Sequence, residues 1–551
     1  MHRFNNFQRN CISVAISQAL FLPVVVHSAS IEVNTVLDDV NPVGCSLREA
    51  VQTINTGLST SNGCNALGVI GENDQINFNL PSNSTIILSG TEIVVSSSVS
   101  INGTDASELT ISGNNQSRIF NFDGAANSTV NGLTLIQGYT SLAGGALNIT
   151  DSPSFTLSNS VVSTNSAGTV GAGIHILDSN DSAITASRIS NNFAGFAGGV
   201  GVISSNDVTI LDSSIAENFG LNEGGGVIFL ESNNVTLAGS MISNNVAYFG
   251  GGLDVGSSNN VTITDTKILN NAAYFCGGID LLSSNGFTVT GSQVMNNLSL
   301  YQGGGICLES SNASRIIDSS IMENSAGTNG GGIDVNDVSD FSMTGSTIAN
   351  NSSSIGGGIA FSNNTSGDIV NSTISENTAG EFSSTGQGGG IFSNISSGGG
   401  ITLVSNTILG NRAVSLLDNS GGGIYDQLGF VGLQIHNVVA NNEGGDCNGI
   451  LLFEADNWVE DSSCTGVSLG DPGLGELRDN GGPTPTHQPL PGSGLTGAGS
   501  AMRCNDAPIS GVDQRGEPRG TFSCTLGSVE GEEETLFFIP LPNGKTVIFG
   551  L

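Results

Sequence analysis

The feature that most constrains this chain is a motif repeated eleven times between about Gly144 and Asn442. Each copy opens with small residues, usually Gly-Gly-Gly, followed by an aliphatic residue, and most copies close on Asn after a strand-like run. Most copies are 26 or 27 residues long, and two independent markers share this period, which indicates a repeat array. The aliphatic markers are Leu147, Ile174, Val200, Val227, Leu253, Ile279, Ile306, Ile333, Ile359, Ile391 and Ile424. The closing asparagines are Asn165, Asn192, Asn218, Asn245, Asn271, Asn297, Asn324, Asn351, Asn377, Asn411 and Asn442.

Each copy contains three short runs in which apolar and polar residues alternate, the pattern of half-buried strands. In one copy these runs are Leu253-Asp254-Val255, Val261-Thr262-Ile263 and Ile268-Leu269-Asn270-Asn271. Like strands stacked copy on copy, about 4.8 Å apart, make a parallel β-helix. Parallel crossovers are almost always right-handed. The sequence therefore predicts an all-β fold, with residues 75–445 forming one right-handed parallel β-helix.

The asparagine column has a structural explanation. An inward amide on every coil can donate a hydrogen bond to one neighbouring amide and accept from the other, which satisfies buried polar groups. The glycines suit corners that need a positive φ or a close backbone approach. We therefore assign both columns to the scaffold and not to catalysis. Calcium-binding nonapeptide repeats are excluded, because their period is nine residues.

Charge excludes some partners. The 551 residues include 48 acidic and 13 basic side chains, for a net charge of −35. Such a chain is repelled by nucleic acid and by anionic membranes.

The N-terminal residues 1–29 are typical of a secretory signal peptide. Arg3 and Arg9 precede an apolar stretch, Ile12 to Val26, and Ser28-Ala29 offers small residues for cleavage. A membrane anchor is the alternative interpretation, but the apolar stretch is short for a bilayer. We expect the mature protein to be secreted or on the cell surface, without a transmembrane segment, and to be a monomer.

Eight cysteines remain after the signal segment. Three local pairs outside the repeat array predict disulfides, Cys45–Cys64, Cys447–Cys464 and Cys504–Cys524, which export permits. Cys276 and Cys307 occupy different positions of neighbouring copies and are predicted to be free and partly buried. A metal site built on cysteine and histidine is not expected.

The two ends of the array differ from its middle. Residues 30–74 form a predicted N-terminal cap, in which Ser46 and Glu49 make a capping box for a short amphipathic helix that would plug the solenoid. Residues 446–530 are rich in turns and form a predicted irregular C-terminal cap. Residues 531–551 form a predicted hairpin tail around Pro542-Asn543-Gly544.

Two end motifs carry a family resemblance. Cys45-Ser46-Leu47-Arg48-Glu49-Ala50 resembles the motif that names bacterial CSLREA-domain proteins. The segments from Asp479 to His487 and from Asp513 to Gly516 resemble the bacterial choice-of-anchor Q domain, and the repeats are similar to those of polymorphic outer membrane proteins. The resemblance implies a secreted or surface-associated bacterial β-helix protein, in families without one common activity. The tail matches no membrane-type sorting signal.

Candidate binding residues lie in two columns. The residue after each aliphatic marker is expected to point outward, which places Asp254 and Asp280 on neighbouring coils and Asp334 two coils further on. Paired carboxylates serve glycoside hydrolysis or calcium binding, although a solvated acidic stripe is the simpler interpretation. In the loop before the glycines lie Tyr248, Tyr274 and Tyr301, whose rings could stack on sugars or only on one another. The outward column reads His175, Gly201, Ile228, Asp254, Asp280, Cys307, Asp334, Ala360, Phe392 and Tyr425.

Two functions remain open on these residues. The first is an adhesin-like or structural binding scaffold whose partner is a polysaccharide or a cell-surface protein. The second is a carbohydrate-active enzyme, a polysaccharide lyase or a glycoside hydrolase, which would use Asp254 and Asp280. No cofactor is expected, apart from a calcium ion that could occupy the acidic stripe.

The last two intervals of the array lengthen. Ile359, Ile391 and Ile424 are 32 and 33 residues apart, and the extra residues fall before Gly388 and before Gly421. This is the corner that carries the tyrosines in earlier copies. Insertions in solenoids often collect on a binding face, whereas a longer loop also costs little by itself.

Overall fold

The computed structural model describes residues 28–550, apart from 39–42, 59–62, 382–384, 397, 416–419, 450–451, 454–455, 465–468, 532–535 and 541–545. The signal segment up to residue 27 and the predicted turn Pro542-Asn543-Gly544 therefore lie outside the described residues. Within the described part, no helix is long and apolar enough to cross a membrane.

The chain winds into a right-handed parallel β-helix, as the repeat predicts. Every regular coil contributes four strands, not the three that the sequence indicated, and like strands pair in parallel to form four long sheets. We name them A to D in the order in which a coil passes through them, starting after the glycine corner. The fourth sheet was missed because its strands are mostly two residues long, too short to show alternation.

Sheets A and B follow the glycine corner. The strands of sheet A are Ile93–Val95, Phe120–Asp123, Leu147–Thr150, Ile174–Leu177, Val200–Ile203, Val227–Leu230, Leu253–Gly256, Ile279–Leu282, Ile306–Glu309, Ile333–Asn336, Ile359–Asn363, Ile391–Ile395, Ile424–Asp426 and Cys447–Gly449. The strands of sheet B are Ser30–Val33, Asp74–Phe78, Val99–Asn102, Thr129–Asn131, Thr156–Ser158, Ala183–Thr185, Thr209–Leu211, Thr236–Ala238, Thr262–Thr264, Thr288–Thr290, Arg315–Ile317, Phe341–Thr344, Ser366–Val370, Gly400–Val404, Val431–Ile435 and Leu452–Phe453.

Sheets C and D complete the coil. The strands of sheet C are Ser84–Ile87, Leu109–Ser112, Thr134–Ile136, Val161–Ser163, Arg188–Ser190, Ser214–Ala216, Met241–Ser243, Lys267–Leu269, Gln293–Met295, Ser320–Met322, Thr347–Ala349, Thr373–Ser375, Thr407–Leu409, Val438–Ala440 and Trp458–Val459. The strands of sheet D are Tyr139–Thr140, Ser166–Ala167, Phe193–Ala194, Phe219–Gly220, Val246–Phe249, Ala272–Phe275, Leu298–Ser299, Ser325–Ala326, Ser352–Ser353, Thr378–Ala379 and Arg412–Ala413.

Alternation within each strand builds the core. In sheet A, Leu253 and Val255 point inward and are fully buried, and they pair in register with Ile279 and Leu281 of the next coil. The same register repeats along the solenoid, so the inward residues form one continuous apolar core. Because coil follows coil with nearly constant spacing, each coil is stabilised mainly by its two neighbours.

The asparagine ladder is confirmed. From Asn165 to Asn442 each amide lies buried and is held by its neighbours. Asn245, for example, donates through Nδ2 to Oδ1 of Asn271 at 3.0 Å and to the carbonyl oxygen of Ile215 at 2.9 Å. Its backbone N–H also donates to Oδ1 of Asn271. The amide column therefore satisfies the turn between sheets C and D.

The N-terminal helix forms as predicted. It spans Leu47–Thr56, with a complete capping box between Ser46 and Glu49 and a left-handed Gly57 at its C-terminal end. Leu47, Ala50, Val51 and Ile54 are buried in the solenoid core, so the helix covers the apolar interior near the N-terminal end.

Four disulfides are present. The three predicted pairs, Cys45–Cys64, Cys447–Cys464 and Cys504–Cys524, are confirmed. The expectation that Cys276 and Cys307 are free is wrong, because they form a fourth disulfide, with their Cα atoms 5.7 Å apart.

The residues after the last coil lie on the flank of the solenoid. We call residues 460–531, without 465–468, the C-terminal segment. It contains the two-stranded pair Leu474–Arg478 and Thr486–Pro489, the pair Gly499–Ser500 and Ser523–Cys524, and the short helix Ala501–Asn505. It runs back along sheet C, where its Gln514 contacts Thr347 and Thr373. The predicted irregular C-terminal cap therefore lies along one side of the solenoid.

The tail forms the predicted hairpin. Strands Leu536–Pro540 and Thr546–Gly550 pair antiparallel.

Candidate functional site

The outward column of sheet A is not an open surface. Asp254 and Asp280 pair in register on neighbouring coils and are only partly exposed. The column is covered by the glycine corner of the preceding coil: a Cβ placed on Gly201 would lie 2.5 Å from Cγ1 of Val170, one coil earlier. In the same relation, the corner residue Glu223 is close enough to act electrostatically on Asp254. The carboxylates therefore lie in a crease between the corner and sheet A.

The crease raises the pKa values of its acids. Burial raises the pKa of Asp280 to about 7, and the carboxylates of Glu309 and Glu223 add to the effect. Burial, Asp280 and Glu223 raise the pKa of Asp254 well above its usual value. Burial raises the pKa of Glu223 as well. The Asp280 carboxyl group therefore binds a proton near neutral pH.

Asp334 is separated from the pair. Cys307 lies between Asp280 and Asp334 in the register of sheet A, and Asp334 is 6% exposed. Burial and the Glu309 carboxylate raise its pKa to about 7. The three predicted aspartates thus share one crease but only two of them are neighbours.

The disulfide Cys276–Cys307 joins two different positions of the repeat. Cys276 takes the first position of a glycine corner, where it has a φ of +58° and matches Gly250 of the preceding coil. Cys307 belongs to the outward column of the next coil. Their positions within the repeat differ, but the corner of one coil lies over the outward column of the following coil. The bond therefore fastens the corner across the crease, beside Asp280.

The first outward positions of the column hold a polar chain. Asn148 donates through Nδ2 to Oδ1 of Asn121 at 2.8 Å, and Nδ1 of His175 lies 2.7 Å from Oδ1 of Asn148. Burial and the nearby Arg118 lower the pKa of His175 to about 4. Arg118 itself is tied to Glu92 and to the carbonyl oxygen of Gly144. The polar groups of these residues therefore bind one another within the protein.

Sheet D carries the exposed aromatic side chains. Tyr248, Tyr274 and Tyr301 are 44%, 41% and 43% exposed, and the first two lie in strands of sheet D and not in a loop. The same face and the loop that follows it also expose many apolar residues that the sequence did not single out. We call this set the aromatic strip: Tyr139, Leu142, Phe193, Phe196, Phe219, Leu221, Val246, Tyr248, Tyr274, Leu298, Leu300 and Tyr301.

The rings of the strip stack on one another. Tyr248 and Tyr274 lie with centroids 4.9 Å apart and planes 1° apart, and Tyr274 and Tyr301 follow at 6.4 Å and 5°. Phe193 and Phe219 stack at 5.6 Å and 9°. Between neighbouring coils the ring faces are therefore closed, and the rings present edges outward.

The tyrosines and the aspartates lie on opposite sides of one corner. Between Tyr274 and Asp280 the chain passes through Phe275, the disulfide residue Cys276 and two glycines. Phe275 stacks on Phe249 at 5.0 Å and stands edge-on to Tyr301, so a phenylalanine row follows the tyrosine row at the corner. Sequence reasoning missed Glu223 and Glu309, although Glu309 lies two residues beyond Cys307 on the same outward side.

Two groups of side chains have the composition of a metal site. They are Cys276, Asp280 and Cys307, and His436, Cys504 and Cys524. In both groups the sulfurs are joined in disulfides, so they are not available as thiolate ligands. In the first group, Asp280 keeps a carboxylate that could hold a cation together with its neighbouring carboxylates.

The insertions lie at the predicted corner. Both follow strands of sheet D, Thr378–Ala379 and Arg412–Ala413, and they meet through a bridge between Thr385 and Ser415. Residues 382–384 and 416–419 of these loops lie outside the described residues. The structure places the insertions on the side of the tyrosines, several coils beyond them.

A comparison with protein families supports the fold. A family model described as "Right handed beta helix region" matches residues 145–300. No curated protein matches the chain. Among solved structures, pectate lyase Pel9A has 12% identity, with 91% of this chain and 96% of that chain covered and a TM-score of 0.31. The surface adhesin PfbA of Streptococcus pneumoniae has 13% identity, coverage of 72% and 89%, and a TM-score of 0.35.

A mannuronic acid specific polysaccharide family 6 lyase from human gut microbiota has 10% identity, coverage of 79% and 88%, and a TM-score of 0.38. The activities of these proteins differ, and at such identities none of them transfers to this chain.

Proposed function

We propose that this protein is an adhesin-like binding scaffold that acts outside the cytoplasm, on the cell surface or after secretion. The observation that carries the proposal is the concentration of exposed aromatic and apolar side chains on one sheet. Between residues 139 and 301, the large apolar residues exposed elsewhere are Met241 and Leu282. Monomeric proteins rarely expose a continuous apolar patch without using it.

Four disulfides and the signal-like N-terminal sequence support the extracellular location. The resemblance of the end motifs to bacterial CSLREA and choice-of-anchor Q proteins points the same way. The working face in this proposal is the corner between sheets D and A, with Tyr248, Tyr274 and Tyr301 on one side and Asp254, Asp280 and Asp334 on the other.

The test is a binding screen with the full exported chain against arrays of polysaccharides and of extracellular proteins. A ligand of this face is expected to bind wild-type protein and to lose affinity when Tyr274→Ala and Tyr301→Ala are combined. Binding that is unaffected by this double variant would place the working surface elsewhere.

A carbohydrate-active enzyme is the second candidate, favoured by the raised pKa values of Asp254 and Asp280. A carboxyl group that stays protonated near neutral pH can serve as the general acid of glycoside hydrolysis. The test is the release of reducing ends or unsaturated products from a polysaccharide panel, with Asp280→Asn as the control. Product formed equally by this variant would exclude the pair as catalytic residues.

Calcium on the acidic stripe stays a prediction. Glu223, Asp254 and Asp280 supply the oxygen ligands that calcium prefers. Calcium that binds here should raise the melting temperature of wild type but not of Asp254→Asn combined with Asp280→Asn.

A further inference from the structure

The aromatic strip has a chemistry that narrows its partner beyond a general binding role. On the basis of the binding function proposed above, we propose that the strip docks a protein partner whose contact surface is apolar and edged with lysine or arginine. Three observations carry this inference: the arrangement of the exposed rings, the confinement of the strip to one stretch, and the charges along its edge.

The rings are arranged for contact by their edges. Sugar recognition by an aromatic side chain uses the open face of the ring, where the apolar face of the sugar can stack. Here Tyr248, Tyr274 and Tyr301 cover one another's faces along the solenoid axis. Phe193 and Phe219 do the same. These five rings therefore present mainly their edges outward, beside exposed aliphatic side chains, which suits the side chains of another protein.

The rings of the strip are not part of the solenoid core. The residues that alternate with them, such as Ala194, Ala247 and Ala273, point inward instead and are small, so sheet D packs close to the core. The strip also ends abruptly. After Leu298 the same outward position is occupied by Ser325, Ser352, Thr378 and Arg412. The exposed apolar surface is therefore confined to certain coils, which is typical of an interaction site.

Carboxylates border the strip. Half-buried Glu223 lies at the corner that borders it, where it pairs with Phe249, and exposed Glu217 lies in the turn two residues before Phe219. Between residues 139 and 301, all of which the structure describes, the basic side chains are Arg188 and Lys267, and both start strands of sheet C.

A second copy of the chain would bring the same carboxylates and a net charge of −35 to the contact, which opposes self-association. A partner with basic residues at the margin of an apolar patch matches both features.

The experiment uses the full exported chain, immobilised in its oxidised form, and a phage-displayed library of random peptides. Selected peptides are synthesised and measured against wild type and against Phe193→Ser combined with Phe219→Ser. The matched control is Met241→Ser combined with Leu428→Ser, which removes exposed apolar residues that lie outside the strip. A milder second variant, Leu221→Ser with Leu300→Ser, serves if the phenylalanine variant fails to fold.

We expect the selected peptides to combine aromatic or aliphatic residues with lysine or arginine. The strip variants should bind them at least tenfold more weakly, and the control should stay within twofold. Raising the salt concentration tenfold should weaken binding to wild type several-fold, because the edge contacts are exposed charges.

Acidic or uncharged peptides, equal binding by strip and control variants, or no selected peptide would overturn the inference. So would sedimentation with phosphatidylcholine vesicles that depends on Phe193 and Phe219. A glycan that binds wild type and loses affinity in Tyr274→Ala with Tyr301→Ala would overturn this inference while leaving the binding scaffold intact. Failure of every probe at this face would overturn both.

Discussion

Two outer faces of the same solenoid differ in whether the chain covers them. On sheet C, the coils that contain Thr347, Thr373 and Thr407 are covered by the C-terminal segment. On sheet D, the coils from Tyr139 to Tyr301 leave their aromatic side chains exposed. Both faces consist of parallel strands stacked coil on coil, and they differ most in their outward side chains.

The covered face is polar and satisfied within the chain. Gln514 donates to Oγ1 of Thr347 at 2.9 Å and accepts from Oγ1 of Thr373 at 2.6 Å. His487 accepts a hydrogen bond from Ser375 through Nε2 at 2.7 Å, since its Nδ1 donates to the carbonyl oxygen of Gly475. Where the segment is absent, the same column of sheet C carries Arg188, Met241 and Lys267, which are long and exposed.

This contrast separates structure from recognition. Small hydroxyl side chains let the C-terminal segment approach closely and hydrogen-bond, whereas the rings of the strip offer apolar area that no described part of the chain covers. Changes on the covered face should therefore cost stability. Changes on the bare face should cost binding and leave stability nearly intact.

The largest loss of stability is expected from Arg519→Met. Arg519 is 4% exposed and joins the segment to two coils of the solenoid, since its Nη2 donates to Asn371 and to Ser405, each at 2.9 Å. Its removal leaves buried acceptors unpaired, and we expect a loss of about 3–5 kcal/mol in the free energy of unfolding. Denaturant unfolding measures it.

The matched control for Arg519 is Arg412→Met. Arg412 forms an ion pair with Glu443 at 3.0 Å, but its side chain is 52% exposed, and such a pair is worth at most about 1 kcal/mol. Equal losses in the two variants would show that the segment does not stabilise the solenoid.

The next effect concerns the corner beside the strip. Replacing Cys276 and Cys307 by serine should lower the free energy of unfolding by about 2–4 kcal/mol, because the bond closes a loop with a sequence separation of 31. Mass spectrometry after thiol labelling shows first whether the bond is present in the exported protein. A double variant as stable as the oxidised wild type would mean that the corner is held by the coils alone.

The comparison also shows which parts of the molecule a sequence can predict. The repeat predicted three of the four sheets and the asparagine ladder, because these contacts join a residue to its equivalent one coil away. Short cysteine spacings outside the array predicted the three local disulfides. Three features depend on how a corner bends over the next coil. They are the fourth strand of each coil, the Cys276–Cys307 bond and the covering of Asp280 by the corner of the preceding coil. Periodicity does not report that bend.

The contact between the C-terminal segment and sheet C could not be predicted from the sequence for another reason. Gln514 and Thr347 are 167 residues apart, and the segment itself has no repeat. One signal was present: the outward column of sheet C changes from Arg188, Met241 and Lys267 to threonines as the covered coils begin. A change of this kind within a column indicates a covered face.

A smaller, pH-dependent effect is expected in the crease. The pKa of Asp280 is raised to about 7 in the folded protein, above its value in the unfolded chain, so Asp280 stabilises the fold below about pH 4 and loses that contribution as the pH rises to about 7. Asp280→Asn removes the charge. The variant should match wild type near pH 4 and become the more stable of the two as the pH rises through about 7.

Unfolding free energies of both proteins from pH 4 to pH 8, measured in a chelator so that no cation contributes, decide the point. Because burial also raises the pKa values of Glu223, Asp254 and Asp334, the pH dependence should decrease in the variant without disappearing. A difference between the two proteins that is constant with pH would show that Asp280 does not titrate in this range.

The smallest effect on stability, and the one that tests the bare face directly, is expected from Tyr274→Ala combined with Tyr301→Ala. Both rings are more than 40% exposed, and stacked pairs contribute about 0.5–1.5 kcal/mol each when well packed. The variant should therefore lose no more than about 1–2 kcal/mol, far less than Arg519→Met. Affinity for a ligand of this face should fall at least tenfold.

A matched control is Tyr425→Ala, which removes a tyrosine that stacks on Phe392 on sheet A, at 5.7 Å and away from the strip. If the double variant instead unfolds as readily as Arg519→Met, the tyrosines are structural, and the two faces do not differ in the way their side chains suggest.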